Sequence, residues 1–339
     1  MTRNPPQIGT ALIDRYGRRV SYVRISVTDR CDLRCVYCMS NNMTFLPRAE
    51  LLTLEEIIRL GQNFVALGVE KIRITGGEPL VRRDVMRVFE QLGALHERGL
   101  RELTLTTNGT QLPRFAKGLV AAGVKRINIS LDSLRPKRFR RITRNGELDK
   151  VMRGIDAALE AGFERVKLNS VILKHRNHDE VRDLVRFAFG RGMDISFIEE
   201  MPLGVIDDHD RAEAYYSSDQ IRRDLAEEFE LVACGAQTGG PSRYFQASGH
   251  DNRVGFISPH SHNFCESCNR VRLTATGRLL LCLGQEHSMD LRSVLRSHPA
   301  DDAQVQQAII QAMDIKPRGH DFELAGIPVI QRHMNATGG

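Results

Sequence analysis

The chain has 339 residues, 41% of them hydrophobic and 27% charged, enough to bury a large core as one large domain plus a smaller one. No apolar run is long enough to span a membrane, and the polar start from Met1 to Gly9 does not read as a signal peptide, so a soluble protein that stays in the cytoplasm is expected. Lys and Arg (48) exceed Asp and Glu (42), and the resulting charge of +6 suits nucleic acid, acidic lipid or a phosphorylated small molecule. No Lys/Arg block stands alone as a tail, so the small molecule comes first. Seven cysteines in such a compartment point to metal or redox chemistry rather than a disulfide framework. Six fall into two triplets, leaving Cys234 as an ordinary residue.

The first predicted strand, Tyr22–Val27, leads into Cys31-Asp-Leu-Arg-Cys35-Val-Tyr-Cys38, a C-x3-C-x2-C run. Three thiolates this close converge on one metal centre more readily than they pair with one another. An iron–sulfur cube normally takes four cysteines, so three leave one iron open for chemistry. A zinc ion with a fourth ligand from elsewhere is the alternative. Further strands are predicted at Lys71–Thr75, Glu102–Thr106, Arg126–Ser130, Arg165–Val171 and Asp194–Ile198. Predicted helices alternate with them at Leu54–Leu67, Asp84–His96, Phe115–Ala122, Lys150–Ala161 and Asp179–Gly190. Strict alternation means parallel strands with right-handed crossovers. The fold class is therefore α/β, an incomplete (βα)6 TIM-like barrel over residues 1–217, with a smaller C-terminal α+β domain over 218–339.

Alternate side chains of a strand face opposite ways. Val23, Ile25, Ile72, Ile74, Leu103, Leu105, Ile127, Ile129, Val166 and Leu168 take one face and belong under the helices. Arg24, Lys71, Arg73, Thr104, Thr106, Asn128, Ser130, Lys167 and Asn169 take the other. A closed barrel fills its centre with Val, Ile and Leu. Four cations inside would be prohibitively costly unless paired, so either these strands are edge-exposed or the lumen is open and built for a polyanion such as a nucleoside triphosphate. The second strand ends in Gly76-Gly77-Glu78-Pro79, where glycines let backbone approach a ligand at the edge that barrel enzymes use for their sites. Thr106-Thr-Asn-Gly109 and Ser130-Leu-Asp132 end the next two strands and read equally well as caps or turns.

From about Pro202 the alternation fails. Leu203–Tyr216 reads as an acidic loop and Ser218–Phe229 as a capped helix. Short strands follow near Val254–Ile257, Val271–Thr274 and Leu279–Leu283, with helices near Leu291–Ser297 and Asp301–Met313. Cys265-Glu-Ser-Cys268 and Cys282 form the second triplet, and zinc and a cluster fit its spacing equally, since His260, His262 and His287 are available as fourth ligands. Arg270 and Arg272, beside the triplet on one face of a short strand, favour an anionic substrate.

The first cysteine run, with Tyr37 before its last cysteine and Gly76-Gly77-Glu78-Pro79 after it, resembles the signature of radical S-adenosylmethionine (SAM) enzymes. With the second triplet, the cationic lumen and the terminal Gly338-Gly339, the chain resembles the GTP 3′,8-cyclase family of molybdenum cofactor biosynthesis from about Ser21 to its end. The resemblance implies two [4Fe-4S] clusters, held by Cys31, Cys35 and Cys38 and by Cys265, Cys268 and Cys282. It implies SAM contacts at Tyr37, Gly77, Glu78, Ser130 and Met201. GTP contacts follow at Arg24, Lys71, Arg73, Thr106, Lys167, Asn169, Arg270, Val271 and Arg272, and the Gly338-Gly339 tail joins Arg270 and Arg272 at the catalytic centre. It also implies a flavodoxin- or ferredoxin-like electron donor, a downstream cyclic pyranopterin monophosphate synthase, neither nucleic acid nor membrane as partner, and room for a homodimer.

Three positions depart from the family pattern: Ser196 where arginine is usual, Thr337 before the two glycines, and Ser40 where proline is usual. Two rival functions remain. A radical SAM enzyme acting on a peptide or another nucleotide would usually carry more C-terminal cysteines. A metal-stabilised nucleic-acid-binding protein fits poorly with 6% aromatic residues and no Trp.

Overall fold

The structure, a computed structural model, describes residues 11–236, 238–325, 328 and 330–338. Six parallel strands run in chain order: β1 (Tyr22–Ser26), β2 (Lys71–Thr75), β3 (Glu102–Thr107), β4 (Val124–Ser130), β5 (Arg165–Ile172) and β6 (Asp194–Glu199). Helices on the outer side connect them. Helix Leu54–Ala66 begins at a reciprocal cap, in which Thr53 Oγ1 accepts from Glu56 N (3.1 Å) and Glu56 Oε2 from Thr53 N (2.8 Å). The apolar strand positions, among them Val23, Ile25, Ile72, Ile74, Leu103, Ile127 and Leu168, are wholly buried beneath these helices.

Six shorter strands complete the sheet: β7 (Leu231–Ala233), β8 (Arg243–Ala247), β9 (Arg253–Ile257), β10 (Arg270–Leu273), β11 (Arg278–Leu280) and β12 (Ser288–Asp290). The order is β12-β11-β10-β1-β2-β3-β4-β5-β6-β9-β8-β7, an open barrel rather than a closed one. The C-terminal strands flank both edges: β10 pairs in parallel with β1 and β9 with β6. Val254, Phe256, Val271, Leu273, Val305 and Ile309 share one hydrophobic cluster with the barrel core. The architecture is an incomplete (βα)6 barrel with a smaller C-terminal α+β part. No helix among the described residues is long and apolar enough to cross a membrane.

Some local structure departs from the sequence expectation. Helix Pro136–Thr143 forms where none was expected, because only Phe139, Ile142 and Thr143 are buried and four cations dominate its sequence. Strand β7 has only three residues, Leu231-Val232-Ala233, and β8 mixes Arg243 and Gln246 with its apolar residues, so neither was expected. The acidic stretch 203–216 contains a short helix, Arg211–Ala214, capped by Asp210.

Candidate active site

The loop carrying the first triplet is braced on three sides. Behind it, Arg34 N and Val36 N donate to Thr143 O (3.0 Å) and Ile142 O (2.9 Å) at the end of helix Pro136–Thr143. From β2, Gly77 N reaches Thr28 O (2.8 Å) and Glu78 N reaches Arg30 O (2.7 Å). From the chain's end, Met334 N donates to Cys38 O (3.2 Å). A Cβ on Gly77 would lie 2.4 Å from Arg30 O, and one on Gly76 2.8 Å from Thr28 O. These glycines permit contact with the cysteine loop itself. Glu78 stands behind the loop, fully buried and absent from the cavity wall. It accepts from Leu80 N (3.0 Å), Thr107 Oγ1 (2.8 Å) and Asn108 N (2.6 Å). Burial pushes its carboxyl up to about 7.

Cys31, Cys35 and Cys38 are free, half-buried and line one cavity together. Leu33 N (3.4 Å) and Asn108 Nδ2 (3.8 Å) donate to Cys31 Sγ, as suits an anionic thiolate. Burial raises all three thiols, Cys38 to about 12, so ionising them calls for a cationic partner, which bound iron supplies. Among the described residues no three His, Cys, Asp or Glu side chains are grouped as ligands of one metal ion. A cluster spreads its cysteines over separate irons, and this donor set fits it.

Tyr37, Gly77, Ser130 and Met201 line the same cavity. Tyr37 donates from its hydroxyl to Asp132 Oδ2 (2.7 Å), while Asp132 Oδ1 accepts from Val171 N (2.9 Å). Burial, only partly offset by these bonds, raises the Asp132 carboxyl to about 6.

Strand parity places the polar set inside as expected: Arg24, Lys71, Arg73, Thr106, Asn128, Ser130, Lys167 and Asn169 all line this cavity, joined by Arg272. Lys71 pairs with Glu102 (2.8 Å) and donates to Thr238 O (2.6 Å). Arg73 donates to Tyr22 Oη (2.7 Å), Thr106 Oγ1 (3.1 Å) and Leu105 O (3.2 Å). Lys167 donates to Tyr244 Oη (3.1 Å). Asn169 Oδ1 is a buried acceptor with no partner among the described residues, as a ligand site leaves it. Burial alone would raise the Tyr22 phenol, yet Arg73, Arg24 and Lys71 outweigh it and hold the group down to about 6.

The tail also enters here. Gly338 O accepts from Arg24 (3.2 Å to Nη2) and Arg272 (3.2 Å to Nη1), and a Cβ on Gly338 would meet Thr75 Oγ1 at 2.7 Å. Gly338 has φ +84, the left-handed region that glycine adopts freely. Gly339 lies outside the described residues. Ser196, the position where the family usually has arginine, is buried on β6 with its hydroxyl 3.0 Å from Ser242 Oγ.

Cys265, Cys268 and Cys282 line a second cavity with Arg270, Val271 and Arg272. Arg24, Met201, Pro241 and Arg272 line both cavities, so the two adjoin. Val271 offers only its edge, since its side chain is buried in the core and its backbone pairs with Val23. Lys316 is buried and donates to Cys268 Sγ (3.7 Å), Arg270 O (3.1 Å) and Leu281 O (2.7 Å). Burial pushes the Cys268 thiol up, but Lys316 and Arg270 outweigh it and the net shift is downward. His260 is engaged with Glu200 O (2.9 Å) and His262 with Asp219 (3.0 Å), away from the triplet.

Sequence reasoning missed Tyr22 and Lys316. Tyr22 shares the parity of Arg24, a signal that was available. Lys316 has no local signal, because its three partners lie at positions 268, 270 and 281.

Two outcomes follow from this geometry. Gly77→Ala should destabilise the fold by about 2 kcal/mol or more, read as a lower melting temperature, and reduce iron uptake with it, because the clash is with backbone; a variant that loads iron normally would contradict the bracing. An ultraviolet pH titration should reveal a phenolate that appears near pH 6 and is lost in Tyr22→Phe. A native spectrum that does not change between pH 5 and pH 8 would contradict it.

Two family descriptions match the chain: the radical SAM superfamily over residues 25–188 and Molybdenum Cofactor Synthesis C over residues 193–322. It is 58% identical over 340 residues to the GTP 3′,8-cyclase of Pseudomonas entomophila, covering 100% of both chains. It is 57% identical over 330 residues to that of Saccharophagus degradans, covering 97% of this chain and 99% of the relative. Among solved structures, Streptococcus suis SuiB bound to S-adenosylmethionine aligns with a TM-score of 0.60 at 14% identity, over 95% of this chain and 78% of that one, a likeness of fold alone. With cysteine triplets, a cationic lumen and near-complete coverage at this identity, the chain belongs to the GTP 3′,8-cyclase family of radical SAM enzymes.

Proposed function

We propose that this chain converts GTP to (8S)-3′,8-cyclo-7,8-dihydroguanosine 5′-triphosphate in the cytoplasm, the first step of molybdenum cofactor biosynthesis. The observation that carries the reading is the row of cations, Arg24, Lys71, Arg73 and Lys167, lining a cavity that adjoins two separate cysteine triplets. Cys31, Cys35 and Cys38 would hold a [4Fe-4S] cluster that works with SAM, and Cys265, Cys268 and Cys282 would hold a second on the side of the guanine base. Bound and reduced, the first cluster with SAM supplies a 5′-deoxyadenosyl radical able to take the hydrogen from C3′ of GTP.

The residues of the chain do the placing. Lys71, Arg73, Lys167 and Arg24 neutralise the triphosphate, while Thr106 and Asn169 hydrogen-bond the nucleotide. Arg270 and Arg272 line the base side with the edge of Val271. Tyr37, Gly77, Ser130 and Met201 contact SAM, and Glu78 acts from behind by fixing the loop. The tail carrying Gly338 covers the lumen beside Arg24 and Arg272 and excludes water from a radical that must meet its target at contact distance. Residues 1–217 would thus carry the SAM chemistry and 218–339 the second cluster and tail. An electron donor of flavodoxin or ferredoxin type, a cyclic pyranopterin monophosphate synthase taking the product, and a homodimer complete the reading.

The test is anaerobic incubation of the reconstituted chain with SAM, a reductant and GTP. One hydrogen is removed and one restored, so product and substrate have equal mass; chromatography and lost guanine absorbance must separate them. Deoxyadenosine without such a product would move the substrate elsewhere. Cys31→Ala should abolish SAM cleavage, and Cys282→Ala should leave uncoupled cleavage without cyclised product. Equal loss of cleavage in both variants would overturn the division between the clusters. Arg73→Ala should weaken GTP binding at least ~10-fold through a lost charge-assisted contact.

A further inference from the structure

The proposed reaction needs electrons delivered from outside the chain, and one outer face has the position and charge to receive their carrier. Ile142, on helix Pro136–Thr143, lines a groove that shares no lining residue with the lumen. The same residue packs against Val36 in a small apolar cluster, and its carbonyl accepts from Val36 N at 2.9 Å. Val36 follows Cys35, so one residue layer separates the floor of this groove from the first cysteine triplet. Arg144, at the helix end, donates to Met39 O (3.0 Å) and ties the same helix to the loop just past Cys38.

The charges here are unequal. Arg138 is held by Asp179 (2.6 Å) and Glu180 (2.7 Å), and Arg176 by Asp208 (2.7 Å). Asp210 is spent on capping the helix Arg211–Ala214. Exposed Lys137, Arg140 and Arg141 and half-buried Lys174 make no ion pair among the described residues, against Glu213 as the remaining acid of the groove. A run of surface cations is usually just solvated. Arg141 and Lys174 line a concave groove that backs onto the cysteine loop, with Lys137 and Arg140 exposed on the same helix beside it, and that gives these cations a use.

We propose that the groove beside helix Pro136–Thr143 is the docking face for an acidic protein carrying a one-electron flavin or iron–sulfur group. In the step it serves, the carrier loses one electron and the cluster held by Cys31, Cys35 and Cys38 gains it; no bond is made or broken. Electron-transfer encounters use small, weak interfaces steered by complementary charge, and their affinity falls as salt rises. This inference rests on the cluster reading under the proposed function.

The test compares the full chain with an Arg140→Glu/Arg141→Glu variant, using an acidic flavodoxin as probe. Calorimetry at low salt should give a dissociation constant raised at least ~10-fold in the variant, with a weaker salt dependence. Cyclisation driven by flavodoxin should fall in parallel, while cyclisation driven by dithionite stays unchanged. Equal flavodoxin affinity and salt dependence in the two proteins would overturn the docking face. So would loss of affinity for an RNA polyanion with flavodoxin binding intact, which would make the groove a nucleic-acid site. Failure of dithionite-driven cyclisation in the parent chain would instead sink the proposed reaction, and the binding comparison would still judge the groove.

Discussion

Cations crowded inside an open barrel set the terms for the rest of the structure. Two unit charges about 4 Å apart repel by about 4 kcal/mol at the effective dielectric of a protein site. Arg24 and Arg272 share one carbonyl oxygen, that of Gly338, and burial, with repulsion from neighbouring guanidiniums (Arg73 and Arg270 on Arg24; Arg24 and Arg270 on Arg272), presses both pKa values down. A guanidinium keeps its proton under such pressure. The lumen therefore relieves its field by other means: the Tyr22 phenol, the Glu102 carboxylate and the carbonyls of Thr238 and Gly338 each offset part of it. None carries the charge of a triphosphate. The folded chain bears an internal positive potential that an anionic ligand would complete, and the apolar faces of the same strands, fully buried under the helices, hold it in place.

The cysteine loop shows the same economy of parts. Leu33 and Val36 anchor it in apolar clusters, and three neighbours position its backbone: the glycines after β2, the end of helix Pro136–Thr143, and the C-terminal segment at Met334. The glycine pair matters through absence of bulk, since backbone of the loop occupies the space a Cβ would need. The C-terminal segment links both halves of the cavity, bonding Cys38 O at one end and facing Arg24 and Arg272 at the other. A change at the tail is thereby felt at both.

The strand order up to β6 and the inward cations were legible because strand side chains alternate with period two, and a charged residue breaks that pattern audibly. The cysteine triplets were legible from spacing. What escaped was whatever depends on distant pairing. Nothing local to Arg270–Leu273 announces that it will lie beside β1, nor that Lys316 will reach Cys268. Helix Pro136–Thr143 escaped because it is short and its three buried residues are outnumbered by cations, although its polar and apolar faces are sharply segregated. Glu78 enters the SAM-contact set through the family resemblance, and in the fold its carboxylate ties β2's loop to that of β3.

The most direct test of the central claim is a calorimetric comparison of GTP, GDP and GMP binding to the full chain at two salt concentrations. A lumen organised around a polyanion predicts that affinity falls stepwise as phosphates are removed and that GTP shows the steepest salt dependence. Equal affinity for GMP and GTP, with the same response to salt, would contradict it and leave the lumen cations without a purpose.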